Sequence, residues 1–172
     1  MRRPRVVTGA SGTPGSATAL RRALDEARAR DAELWAVLAW QAPGAGIGSP
    51  GHGPGTCMTT VCRDAAADRL RTLLTTLFGP SGPDVPLHAV VSQATPGAAL
   101  VDLADGPADL IVVGTGTRRA LRRLRPSVAG YCRTRATCPV LTVPPSPLQA
   151  DLDRLHRRNR WHLPVRVRDL AA

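Results

Sequence analysis

Five short β-rich apolar runs alternate with four amphipathic helical stretches along residues 4–143, and this alternation restricts the chain to one class of architecture. The runs are residues 4–10, 33–40, 85–92, 108–114 and 138–143; the helical stretches are 16–30, 58–78, 96–104 and 127–136. In SATALRRALDEARAR, the residues Ala19, Leu20, Ala23, Leu24 and Ala27 recur at helical spacing and leave the charges on the opposite side. Between 58 and 78, Ala66, Leu70, Leu73, Leu74 and Leu77 do the same. ELWAVLAW, by contrast, is a continuous apolar run of the kind buried on both faces of a sheet. Strands that alternate with helices are joined by right-handed crossovers, which predicts an α/β fold: a mainly parallel five-stranded sheet sandwiched by helices. Ligands of such sheets bind outside the carboxyl ends of the strands, where the strand order reverses.

The opening stretch, VVTGASGTPGSATAL, reads as strand, glycine turn and helix, and looks like the start of a short-chain dehydrogenase. The rest of the chain excludes that chemistry. All 23 basic residues are arginine, so neither the lysine of a phosphate-binding P-loop nor the tyrosine–lysine pair of those dehydrogenases is present; Tyr131 is followed four residues later by Arg135. Gly9, Gly12 and Gly15 are spaced GxxGxxG rather than GxGxxG, and no acidic residue ends the second strand to hold a ribose. GASGT misses the GxSxG of a nucleophile elbow because Thr13 replaces the last glycine.

The side chains available for chemistry are few. Cys57, Cys62, Cys132 and Cys138 are separated by four and five residues within each pair, which matches neither a zinc knuckle nor a CxxC redox motif, so they read as structural thiols. His52 falls in a glycine- and proline-rich stretch, residues 43–56, that reads as a loop. His88 lies in a strand, where a satisfied side chain is expected, and His156 and His162 lie near the C-terminus. Nothing beyond a slow ATPase suggests an enzyme, and a binding role is the expectation. No apolar run reaches the length of a membrane span, and MRRPRVV leads directly into a strand, so a cytoplasmic protein is expected.

Charge is concentrated. The net charge of +10 resides in residues 118–135, with seven arginines and no acid, and in residues 145–172, with six arginines against three aspartates. Arginines 118, 119, 122, 123 and 125 surround Leu121 and Leu124 and suit a small anionic ligand such as a polyphosphate; a solvated arginine face is the plain alternative. With three tryptophans, one tyrosine and one phenylalanine there is no stacking platform for single strands, which argues against nucleic acid as the partner.

RVVTGASGTPGSATALRRALDEAR, VVSQATPGAAL and ADLIVVGTGTRRALRRLRPSVAGYCRTRATCPVLTVP together resemble the universal stress proteins over residues 4–144. The resemblance implies a domain over 1–144, followed by a basic extension over 145–172. It also implies a role as a binding regulator in stress response, a homodimer paired through the last strand (CPVLTV), and ATP as a ligand of many members. It places Ser11 where ATP-binding members carry an aspartate, and it places Gly114, Gly116, Ser127 and Val128 in the phosphate loop. That loop departs from the family pattern G, two residues, G, nine residues, G, then Ser or Thr. Here its first spacer is one residue short, and Pro126 replaces the last glycine and has no N–H to offer a phosphate. A degenerate ATP site, a site for another anion and a purely structural turn all remain open at this point, as do a nucleotide-independent scaffold and a slow ATPase. In the C-terminal extension, Leu148, Leu152 and Leu155 share a helical face, and Trp161, Leu163, Val165 and Val167 alternate with polar residues or proline; both patterns predict packing on the domain or its dimer partner.

Overall fold

A computed structural model describes residues 2–41, 56–115 and 127–148, the side chains of residues 56–58 excepted. Its elements in chain order are β1 (Arg5–Gly9), α1 (Pro14–Ala29), β2 (Glu33–Trp40), α2 (Thr56–Phe78), β3 (Leu87–Gln93), α3 (Pro96–Leu103), β4 (Leu110–Gly114), α4 (Val128–Arg135) and β5 (Val140–Val143). The expected strands and helices are all present, with ends displaced by a residue or two. The sheet order is β3-β2-β1-β4-β5. All four neighbouring pairs are parallel, from Leu34↔Leu87 at one end to Gly114↔Val143 at the other.

Alternation along the strands divides the core in two. Val6, Leu34 and Val112 point to the side covered by α1, where they meet Ala19, Ala23 and Ala27, and Leu38 meets Leu70 and Leu74 of α2 on that same side. Val7, Val37, Ile111 and Val113 point the other way, against Ala99 and Leu100 of α3 and Cys132 of α4. Two helices therefore cover each face, as right-handed crossovers from an inner strand require. The alanines on the inner side of α1 let that helix lie close to β1 and β4. Burial of Leu20, Leu34, Leu70, Leu100 and Ile111, all no more than 2 % exposed, contributes about 1.5–3 kcal/mol each.

At the amino ends of the strands, the Asp109 carboxylate is buried and takes three donors: Arg2 Nη2 at 2.7 Å, the Arg5 N–H at 2.9 Å and the Gly106 N–H at 2.9 Å. A buried carboxylate is tolerated only when paired and hydrogen-bonded in this way. The network ties the start of β1 to the start of β4 and leaves the opposite, carboxyl ends free for a site. Beside it, Arg5 lies 4.5 Å from the centre of the Trp35 ring, and His88 stacks on the same indole with 4.6 Å between centroids. His88 Nε2 is also 3.4 Å from a Glu33 carboxylate oxygen, so this histidine lies against neighbours within the sheet. Among the described residues no helix is long and apolar enough to cross a membrane.

Candidate functional site

Strand order reverses between β1 and β4, because β1 continues to β2 on one side while β4 continues to β5 on the other. A cleft of about 240 Å³ opens at the carboxyl ends of these two strands. Its backbone side is set by glycine. β1 passes into a turn where Gly12 has φ +77°, a conformation that side-chain-bearing residues rarely adopt. β4 ends at Gly114, where an added Cβ would stand 2.7 Å from the carbonyl oxygen of Gly15 in α1. Only a residue without a side chain lets the end of β4 and the start of α1 approach this closely.

Three helices begin at the cleft. Thr13 caps α1, its Oγ1 accepting from the Ser16 N–H at 3.3 Å, and Pro14 follows in the first helical position, where a missing N–H costs nothing. Pro96 opens α3 in the same way. Ser127 caps α4, its Oγ accepting from the Gly130 N–H at 3.0 Å. The Ser127 hydroxyl is thus used inside the protein, while the N–H groups of Val128 and Ala129 belong to the unpaired first turn. None of the three helices has an acidic residue in its first turn. Their partial positive ends are therefore left for an anion from outside. Val37, Leu100 and Val113 supply an apolar wall.

Of the residues singled out from the sequence, Ser11, Gly114, Ser127 and Val128 all line this cleft. Ser11 Oγ is within 3.1 Å of Thr13 Oγ1, so its hydroxyl is held at the rim by the cap of α1. Gly116, Pro126 and arginines 118–125 lie outside the described residues, as do His52, His156 and His162. Sequence reasoning missed Thr13 as the α1 cap, Gly15 as the group that Gly114 must clear, and Pro96. The helical stretch 96–104 begins at Pro96 in the sequence reading too, but the place of that residue in the cleft has no local signal. The contact between Gly15 and Gly114 spans about a hundred residues and has no local signature.

The lining contains no titratable side chain among the described residues, and those residues include no group of three His, Cys, Asp or Glu able to hold a metal ion. The cleft can bind an anionic or apolar group, but it offers neither acid nor base from these positions. Cys132, on the buried side of α4, and Cys138, just before β5, lie in the core. Burial, with Cys138 nearby, pushes the Cys132 thiol up to about 11, and burial raises that of Cys138 as well, which keeps both protonated and unreactive.

Comparison with known proteins supplies a family. The pattern of the universal stress protein family matches residues 2–144. Among solved structures, a universal stress protein in complex with cAMP is 28% identical, with a TM-score of 0.54 over 85% of this chain and 100% of the other. A universal stress protein from Lactobacillus plantarum, 22% identical, has a TM-score of 0.52 over 83% of this chain and 99% of its own. A member of the family from Burkholderia pseudomallei, also 22% identical, reaches 0.55 over 81% and 95%. No curated protein matches the chain.

Proposed function

This chain belongs to the universal stress protein family, and we propose that it works as a cytoplasmic, homodimeric regulator of stress physiology whose β1–β4 cleft takes an adenine nucleotide in a site that departs from the ATP pattern. The observation that carries the reading is the meeting of three helix starts, none with an acidic first turn, at the strand-order switch where Ser11, Gly114, Ser127 and Val128 come together. The cAMP complex of a relative with 28% identity supports a nucleotide as the occupant. The arginines at 118, 119, 122, 123 and 125, which follow β4 in sequence, are the densest run of positive charge in the chain and suit an anionic ligand. A slow ATPase is the weaker alternative, because no acid or base lines the cleft among the described residues.

ATP is expected to bind only weakly, with Kd above about 100 μM, a limit that corresponds to roughly 5.5 kcal/mol. Ser11 lacks the carboxylate that ATP-binding members of the family carry at this position, and Pro126 cannot donate an N–H to a phosphate. Calorimetric titration with ATP and cAMP tests this. The combined change Ser11→Asp with Pro126→Gly should tighten ATP binding about tenfold. Absence of binding for both nucleotides in both proteins would remove the nucleotide reading and leave a structural turn in a dimeric scaffold. Submicromolar ATP binding by the native chain would show that the site is not degenerate.

A further inference from the structure

Tyr131, the only tyrosine of the chain, has no part in dehydrogenase chemistry and does not line the cleft. It packs instead on Gly97, the buried residue that follows Pro96. A Cβ on Gly97 would stand 2.6 Å from Tyr131 Cδ1, 2.9 Å from its Cγ and 3.1 Å from its Cβ. These atoms are the root of the side chain and one edge of the ring, not a flexible tip that can swing away. The next residue of α4 joins the contact, since Cys132 Sγ lies 4.0 Å from the Gly97 carbonyl oxygen. One turn further on, the Arg135 guanidinium stands 5.8 Å from the centre of the Tyr131 ring. α3 and α4 thus meet with a glycine backbone on a tyrosine ring, and only glycine permits that approach.

Both sides of this contact lie within about one helical turn of the cleft. Pro96 lines the cleft and Gly97 follows it; Ser127, Val128 and Ala129 line it as well, and the Tyr131 N–H donates to the Ser127 carbonyl at 2.8 Å. One turn advances only about 5.4 Å, and packed helices do not deform freely over that length, so the spacing at the contact sets the spacing of the two helix starts. The start of α3 is also the one without a side-chain cap, because Thr95 makes no capping hydrogen bond whereas Thr13 and Ser127 do. Its first-turn N–H groups, those of Gly97 and Ala98, have no partner within the helix. We propose that Tyr131 is a positioning residue for the ligand of the cleft: pressed on Gly97, its ring fixes the separation of the α3 and α4 starts and with it the width of the cleft between Pro96 and Val128. Ring carbons make the contact, so the hydroxyl is not required. The proposal rests on the nucleotide reading of the cleft and adds to it the element that sets its width.

Titration of the full chain with cAMP and with ATP tests it, followed by NMR of the ligand so that millimolar dissociation constants are read. Gly97→Ala should drive the two helix starts apart and weaken binding about tenfold, since small misplacements of binding groups have large effects. Tyr131→Ala removes the spacer and should weaken binding about fivefold, whereas Tyr131→Phe keeps the ring and should stay within about twofold of the native chain. Combining Gly97→Ala with Tyr131→Ala makes room for the added methyl and should bind about threefold tighter than Gly97→Ala alone, a coupling expected only of residues in contact. Affinities that stay at the native value while the melting temperatures fall would assign the contact to the fold alone and overturn the proposal. Equal losses for Tyr131→Phe and Tyr131→Ala would overturn it as well. Tyr131→Ala only removes atoms, so it decides the question even where Gly97→Ala does not fold. Binding by the native chain that the variants leave unchanged would sink this proposal and spare the cleft reading; failure of both nucleotides to bind the native chain would sink the two together.

Discussion

Gly114 and Gly15 touch where β4 meets α1 at the cleft but do different work. A Cβ on Gly114 would meet the Gly15 carbonyl at 2.7 Å, and that oxygen belongs to the backbone of a capped helix and cannot swing aside. A Cβ on Gly15 would meet nothing within 4 Å, and its φ lies outside the left-handed region. Gly114→Ala should therefore cost about 1–3 kcal/mol through overpacking, whereas Gly15→Ala should be neutral or stabilising by up to roughly 1 kcal/mol, as alanine is in a helix. Urea denaturation of the two variants checks the contrast, and equal losses would mean that β4 and α1 are not held at this separation. The sequence marks both positions as glycine in glycine-rich turns and cannot rank them, because the contact that separates them is tertiary.

At the scale of elements, β5 is the point of interest. It lies at one edge of the sheet and pairs only with β4, so one row of its backbone N–H and C=O groups is unpaired among the described residues. Edge pairing about a two-fold axis would satisfy that row and fits a homodimer through this strand. Leu141 and Val143 are not simple interface residues, since both pack partly on the cluster beneath α1. Thr142 is exposed and is the cleaner probe. Thr142→Arg should convert a dimer to a monomer in sedimentation without lowering the melting temperature of the fold. An unchanged sedimentation coefficient would place the interface elsewhere. The apolar, uncharged character of CPVLTV was legible in the sequence, but not which of its side chains turn inward, because that depends on the register Val112↔Leu141.

For the molecule as a whole, the three buried clusters draw their residues from between Val6 and Val143. Leu148 is 71% exposed. At this first residue the leucine face of the extension does not pack on its own domain, which leaves the dimer partner as the surface expected to cover it; the other residues of that pattern lie outside the described ones. Among the described residues the clusters draw on none beyond Val143, and we expect the domain over 1–144 to fold without the C-terminal extension. We expect a chain ended at Pro144 to melt within about 3 °C of the full chain, equivalent to roughly 1 kcal/mol at this size. Thermal denaturation of both chains decides. A larger drop would assign the extension a structural role.

Local chemistry alone settled the order and type of the elements. A period of 3.6 in α1 and α2, a continuous apolar run in β2 and prolines at helix starts are properties of neighbouring residues, and the physics that reads them acts over a few residues. The same short range allowed the missing lysine and the altered glycine spacing to exclude dehydrogenase and P-loop chemistry. The resemblance to the family singled out Ser11, Gly114, Ser127 and Val128. The tertiary structure alone decided that they share one cleft and that Thr13, Gly15 and Pro96 join them. These positions lie on separate elements that become neighbours only when the strand order reverses between β1 and β4, and that reversal is fixed by the packing of helices on both faces of the sheet rather than by any stretch of sequence.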